Sequence, residues 1–277
     1  MASKQEEAVV SIIMPSYNAG TYIYSAINSV LNQSYSNWEL LIIDDGSSDN
    51  TREIVSKFND HRIRNFSLPD NRGVSNARNL GLKHIQGDYF TFLDADDEMP
   101  ENSLFARLMI FLEYPEVTFV DGRVISFDVA MQRPLGNWVP SYKGDPRSEL
   151  IRLNGSCFFG TTWMIKRVAD QGVSFQTGMT HGEDLLYFIQ LCQHRNLIYS
   201  FTDQEILHHR TGHQSAMSNL DGLEQGYYEL YRFIKGIAYF SPSQVHMFKR
   251  KAQLIMFKSY LQKMRLFSAI KVIAANW

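Results

Sequence analysis

Tyr89-Phe90-Thr91-Phe92-Leu93-Asp94-Ala95-Asp96-Asp97 is an apolar run that passes directly into three carboxylates. This is the pattern of a strand covered on both faces, as in a parallel sheet, where ligands bind beyond the carboxyl ends of the strands. Three like charges crowded at such an end call for a counter-cation. Oxygen donors suit magnesium or manganese, ions that commonly accompany a polyphosphate. Taken alone, Asp94-Ala95-Asp96 also reads as a solvated turn ahead of a helix, so its weight depends on the rest of the chain.

Upstream, the same arrangement recurs. Val9 to Met14 is a short β-rich run ended by Pro15, and after the turn Ser16-Tyr17-Asn18-Ala19-Gly20 the residues Ile23, Ile27, Val30 and Leu31 fall at helical spacing. Trp38 to Ile43 is a second apolar run, ending in Asp44-Asp45-Gly46-Ser47-Ser48-Asp49, with Asp49 placed to cap a helix carrying Ile54, Val55 and Phe58. A weaker strand, Ile63 to Leu68, precedes Asp70-Asn71-Arg72-Gly73 and a helix over 74–85. The alternation predicts an α/β fold with a mostly parallel, Rossmann-like sheet flanked by helices. Polar clusters fall at three strand ends: Pro15 to Asn18, Asp44-Asp45, and Asp94 to Asp97. Neither Gly-X-Gly-X-X-Gly nor Gly-X-X-X-X-Gly-Lys occurs in this half, which argues against a dinucleotide dehydrogenase or a P-loop enzyme.

The 277 residues are 44% hydrophobic and 20% charged, enough for one large domain or two small ones. The net charge of -2 conceals an asymmetry: Leu230 to Trp277 holds nine Lys or Arg and no acid, against 18 basic and 29 acidic residues elsewhere. Basic segments of this kind face anionic surfaces. Cys157 and Cys192 form no Cys-X-X-Cys pair, so neither a disulfide framework nor a zinc site is indicated and buried thiols are expected. Residues 1–8 are polar where a signal peptide is basic then apolar, and no apolar run approaches the roughly 20 residues of a membrane span. A cytoplasmic location is the expectation, with the basic tail as a candidate contact with the inner face of the membrane.

Four blocks carry a resemblance. Ser11-Ile12-Ile13-Met14-Pro15-Ser16-Tyr17-Asn18, Ile43-Asp44-Asp45-Gly46-Ser47-Ser48-Asp49, Asn71-Arg72-Gly73-Val74-Ser75-Asn76-Ala77-Arg78-Asn79 and Phe92-Leu93-Asp94-Ala95-Asp96-Asp97 are similar, in order and spacing, to family 2 glycosyltransferases of the GT-A fold. They cover about the first 115 residues. The resemblance implies a nucleotide-sugar donor, a UDP-sugar favoured, and a divalent metal, Mn2+ or Mg2+. It implies that Asp45 takes the imide N–H of uracil, that Tyr17 lies along the base, and that Pro15 and Asn18 shape the pocket. Arg72 would contact the base or the diphosphate, a task suited to a planar guanidinium. Asp96 is the implied metal ligand, Asp94 a second ligand or a ribose contact, and Asp97 part of the sugar pocket. Asp44 stays open between turn residue and ligand, and Arg78 and Asn79 between solvated side chains and braces of the acidic loop.

In the second half the patterns predict a helix over Leu104 to Leu112, strands over Val117 to Val120 and Val124 to Val129, a loop over Met131 to Pro146, and a short helix over Ser148 to Leu153. The aromatic segment Gly155 to Arg167 resembles the family's acceptor-side wall. Thr180-His181-Gly182-Glu183-Asp184 opens a helix carrying Leu185, Leu186 and Phe188. Carboxylates at a helix start have a structural reason in the macrodipole. By resemblance to the family's Glu-Asp motif, Asp184 is the general base and Glu183 its orienter or an acceptor contact. His208, His209 and His213, with Arg210, lie where relatives touch metal or diphosphate. That makes His209 or His213 a candidate third metal ligand, although the spacing departs from the family's Tyr-Arg-X-His-X-X-Ser.

The resulting expectation is a GT-A catalytic domain over 1–218, with a donor half (1–115) and an acceptor half (116–218), and a basic helical extension over 219–277. It would transfer a sugar with inversion to a saccharide or lipid-linked glycan; nucleic acid is not expected as a partner. The competing reading is a catalytically degenerate module of the same fold that binds a nucleotide-sugar or glycan. Within the extension, Gln244 to Ala275 reads as one helix in which Lys251, Lys258 and Arg265 recur beside Leu254, Phe257, Leu261 and Met264. Such a face, over 244–275, either docks on an anionic membrane or packs on the catalytic domain.

Overall fold

The computed structural model describes residues 8–167, 172–193, 197–212, 219–275 and 277. Strand β1 (Val10–Ser16) is buried along its whole length, and helix α1 (Ile23–Leu31) covers it with Ile23, Ala26, Ile27 and Val30. Then come β2 (Trp38–Asp44), also wholly buried, α2 (Thr51–Val55), β3 (Ile63–Ser67), α3 (Val74–His84) and β4 (Tyr89–Phe92). Burial on both faces is why β1 and β2 read as continuous apolar runs rather than alternating ones. These strands pair in parallel in the order β3-β2-β1-β4. Ser16 lies opposite Asp44 and Ile13 opposite Phe92, so the residues after β1, β2 and β4 leave the sheet on one edge.

Beyond β4 the sheet becomes mixed. Helix α4 (Ser103–Glu113) leads to β5 (Phe119–Phe127), β6 (Pro134–Trp138), α5 (Arg147–Leu150), β7 (Met164–Lys166), α6 (Glu183–Leu191) and β8 (Tyr199–Arg210). Strand β7 lies antiparallel between β4 and β5, while β6 and β8 flank β5, antiparallel and parallel respectively. Three expectations are corrected here. The two strands expected over 117–129 are one strand whose register shifts around Arg123; a Cβ on Gly122 would meet Ile206 Cγ2 at 2.6 Å, so the glycine allows close passage of β8 rather than ending a strand. The loop expected over Met131 to Pro146 contains β6, with Pro134 at its first residue, a position where a missing N–H costs little. The helix expected over Ser148 to Leu153 is α5, ending earlier because Leu153 turns to φ +49.

The C-terminal part forms α7 (Leu220–Lys235), α8 (Pro242–Gln262) and α9 (Leu266–Ala274). Ser241 caps α8 in a full capping box with Gln244. The single helix expected over 244–275 is broken at Met264, which takes φ +58. The expected apolar stripe is also turned: α8 buries Phe248, Ala252, Met256 and Tyr260, at four-residue spacing, whereas Leu254, Leu261 and Met264 are exposed. Arg265 leaves the lysine stripe altogether, standing at the start of α9 with Asp221 at 2.9 and 3.1 Å. Phe248 and Ala252 share one apolar cluster with Ile13, Phe92, Leu185 and Leu230. Among the described residues no helix is long and apolar enough to cross a membrane.

Candidate active site

The carboxyl ends of β1, β2 and β4 open into a cleft of about 640 Å³ lined by Pro15, Ser16, Tyr17, Asn18, Asp45, Asp94 and Asp96, with Arg78 and Glu183 at its inner side. Its walls are fastened by short polar bonds. Asn18 takes φ +46, a left-handed conformation that asparagine tolerates; its N–H donates to Ser47 Oγ and its Oδ1 accepts from the Ser48 N–H. The β1–α1 turn is thereby zipped to the β2–α2 turn. Asp45, buried, accepts the N–H groups of Arg72 (2.9 Å) and Gly73 (2.7 Å), which shapes the loop before α3; a carboxylate so engaged still has acceptor positions left.

Of the donor residues expected from the sequence, Pro15, Tyr17, Asn18, Asp45, Asp94 and Asp96 come together around this space. Arg72 is exposed and outside the lining, contributing a backbone N–H rather than its guanidinium. Asp44 is a turn residue, accepting Arg52 Nε and the Ser47 N–H, and Asp49, one residue before the Asn50 N-cap of α2, accepts the N–H and hydroxyl of Thr51. Ser16 was not singled out. Its buried Oγ lines the cleft with no hydrogen-bond partner among the described residues, and its position directly after Pro15 was the available signal.

Arg78, on α3, joins the two halves. Its buried guanidinium donates to Asp94 Oδ1 at 3.0 Å and to Glu183 Oε1 at 3.2 Å, and stands over the Phe175 ring. Asn79 braces a different segment, exchanging bonds with the Phe175 N–H and carbonyl. Beside Glu183, Asp184 opens α6 behind Gly182, which takes φ +75. Burial first, and the Glu183 charge second, push the Asp184 carboxyl up to about 6, against the pull of Arg78. Asp184 faces two further spaces. One, of about 360 Å³, is shared with Asp94, Asp97, Phe159 and His209; the other, of about 310 Å³, is shared with Glu149, Phe158, His181, Tyr227 and Ile255. Cys157 lines the latter, but burial pushes its thiol up to about 12, which leaves it inert, and Cys192 is buried as well.

Asp97 turns away from this cleft and is absent from its lining. It accepts His209 Nδ1 at 3.2 Å and the Arg210 N–H at 2.8 Å, and burial pushes its carboxyl up to about 6 while the His209 bond opposes the rise. The same bond raises His209. His208 points the other way, to Glu205 and the Phe127 ring, and His213 lies outside the described residues. The Arg210 guanidinium, expected near a diphosphate, is spent on the Asp96 carbonyl (2.7 Å), the Val129 carbonyl (2.6 Å) and Glu98 (3.1 Å); it holds the acidic turn from behind.

Among the described residues no three His, Cys, Asp or Glu side chains converge to hold a metal, so His209 does not complete a protein-only site. Asp94 and Asp96 do line the 640 Å³ cleft together. Magnesium and manganese are commonly held by one or two carboxylates plus water and substrate phosphate oxygens, and this donor set fits that arrangement.

A parallel half-sheet with three polar strand ends, joined to a mixed second half and flanked by helices, is a fold of the GT-A type. The family model described as Glycosyl transferase family 2 matches residues 11–173, more than half of the chain, and the chain belongs to that family of enzymes. Similar relatives include the UDP-Glc:alpha-D-GlcNAc-diphosphoundecaprenol beta-1,3-glucosyltransferase WfgD of Escherichia coli, 46% identical over 108 residues, or 39% of this chain. Another is the putative teichuronic acid biosynthesis glycosyltransferase TuaG of Bacillus subtilis, 43% identical over 107 residues, or 38% of this chain. The matches span only 43% and 42% of those relatives' own lengths. Among solved structures, S. aureus TarS in complex with UDP-GlcNAc superposes with a TM-score of 0.67, covering 91% of this chain and 72% of that one at 18% identity, which is a likeness of fold.

Proposed function

We propose that this chain is an inverting glycosyltransferase that moves a sugar from a nucleoside diphosphate donor, a UDP-sugar by preference, to a hydroxyl of a saccharide or lipid-linked glycan in cell-envelope polysaccharide synthesis. The observation that carries this reading is the Arg78 junction: one buried guanidinium ties Asp94 of the donor cleft to the helix start that bears Glu183 and Asp184. In this reading donor and base occupy adjoining spaces. The UDP-GlcNAc bound to TarS and the UDP-Glc donor and diphosphoundecaprenol acceptor in the name of WfgD support the choice of substrate classes.

In this reading the exposed Tyr17 ring offers a flat face to the base, and Asp45 accepts the uracil imide N–H with an acceptor position that its backbone bonds leave open. Asp94 and Asp96 would hold a divalent cation, which when bound neutralises charge on the departing diphosphate. Ionised Asp184 takes the proton of the acceptor hydroxyl. That oxygen bonds to the anomeric carbon from the face opposite the nucleotide, the bond to the diphosphate oxygen breaks, and the configuration inverts. A carboxylate near pKa 6 is a stronger base than an ordinary one and is still ionised at neutral pH.

Calorimetric titration with a panel of nucleoside diphosphates, with and without Mn2+, tests the donor site. UDP is expected to bind most tightly, with Mn2+ required, and Asp96→Ala is expected to weaken it at least about tenfold. Absence of binding by any nucleotide overturns the donor-site assignment. Tight binding without release of UDP from any UDP-sugar would instead mark a nucleotide-sugar-binding module.

A further inference from the structure

The outer surface of the α8–α9 corner is apolar where the rest of the C-terminal helices are packed. Residues 261–267, Leu-Gln-Lys-Met-Arg-Leu-Phe, are all exposed. Within them and one turn beyond, Phe267 is 83% exposed, Met264 79%, Ile270 68% and Leu266 57%, levels that a single scattered surface residue explains but four neighbours do not. The corner is nonetheless a built structure. Met256 and Tyr260 of α8 pack on Ala269 and Val272 of α9, and the buried Gln253 amide donates to the Val272 and Ala275 carbonyls, satisfying the end of α9. Ala269 and Val272 thus define the inner face of α9, which leaves Leu266, Phe267, Ile270 and Ile273 on the outer one.

Charge identifies what covers this face. Lys251 and Lys258 are exposed along α8, Lys263 at the corner and Lys271 on α9, and no acid occurs from Leu230 to Trp277. The nearby acids of α7 are engaged, Asp221 by Arg265 and Glu224 by Tyr260 at 2.6 Å. A second copy would set one basic frame against another. We infer that the α8–α9 corner is a docking surface for an anionic phospholipid bilayer: Met264, Leu266, Phe267 and Ile270 enter the interface and the lysines meet the headgroups. The surface differs from the heptad stripe expected from the sequence, since Arg265 is committed to Asp221 and the insertion falls at the corner and on α9. The docking inference stands apart from the identity of the sugar.

Co-sedimentation of the full chain with phosphatidylcholine vesicles, with and without phosphatidylglycerol, decides it. Binding is expected only with phosphatidylglycerol and is expected to weaken with salt. Phe267→Asp with Ile270→Asp is expected to abolish pelleting, and Lys263→Glu with Lys271→Glu to weaken it about 25-fold or more, at about fivefold per lysine. All four side chains are exposed, so an unchanged thermal melt serves as the folding control. The inference is overturned if the wild type stays in the supernatant with both vesicles, or if it binds both equally. It is equally overturned if sedimentation velocity shows a dimer that Phe267→Asp dissociates while no vesicle is bound, because the face then belongs to a second copy.

Discussion

Around Arg78, one guanidinium answers three carboxylates: Asp94 and Glu183 by direct bonds, Asp184 through space. Asp184 sits near pKa 6 in the folded chain against 3.8 ordinarily, so folding favours its protonated form. The stability that Asp184 contributes is therefore lost as pH rises from about 4 to about 6 and is constant above that, and the proposed base becomes ionised over the same window. The pH profile of kcat/KM is expected to show an acid limb near 6, set by Asp184. Asp184→Asn is expected to reduce kcat by about 10²–10⁴-fold with UDP affinity kept. Arg78→Met removes the opposing cation: the acid limb should move up and stability fall by about 3 kcal/mol or more. An acid limb that does not move in Arg78→Met would show that Arg78 holds the site's geometry without tuning the base. The partners of Arg78 lie 16 and 105 residues away, which is why the sequence left it open between brace and solvated side chain.

At the scale of elements, legibility followed burial. Strands β1, β2 and β4 are covered on both faces, so their apolar runs and polar ends could be read directly, and with them most of the lining of the cleft. Strand β6 has mostly exposed residues and starts on a proline, and β5 carries a glycine where β8 crosses, so propensity pointed to loops and breaks. The role of α7 was equally hidden, because it lies in close approaches rather than in side-chain pattern. A Cβ on Gly226 would meet the His181 carbonyl oxygen at 2.3 Å, and a Cβ on Gly182 would meet Leu230 Cδ1 at 2.9 Å. Helix α7 thus sits against the backbone of the loop that presents Glu183 and Asp184. Gly226→Val is expected to push the two apart, costing about 1–3 kcal/mol in urea unfolding. It should lower kcat while leaving the UDP Kd within about twofold, since the proposed donor residues follow the ends of β1, β2 and β4; a Kd that weakens as much as kcat falls would place α7 in donor binding as well.

For the whole molecule the question is whether residues 219–277 are an appendage. The sequence suggested one, through the charge asymmetry and a heptad of lysines, because amphipathic pattern reports that a face is apolar and not which neighbour it meets. In the structure the inward face of α8 is Phe248-Ala252-Met256-Tyr260, and Phe248 and Ala252 belong to the same cluster as Ile13 of β1, Phe92 of β4 and Leu185 of α6. Gln244 also donates to the Ser148 hydroxyl of α5, tying the start of α8 to the second half of the sheet domain. A core shared in this way should unfold as a unit. Phe248→Ala is therefore expected to cost about 3–5 kcal/mol, which for a chain of this size lowers Tm on the order of 10 °C. The loss should appear in a single transition in which far-UV ellipticity and UDP binding disappear together. An autonomous extension would behave differently: a separate early transition would carry away helix signal, and the donor cleft would keep its UDP affinity until the main unfolding. The first pattern would make the C-terminal helices part of the catalytic body, so that any membrane contact at the α8–α9 corner is transmitted through packed side chains to the helix that carries Asp184.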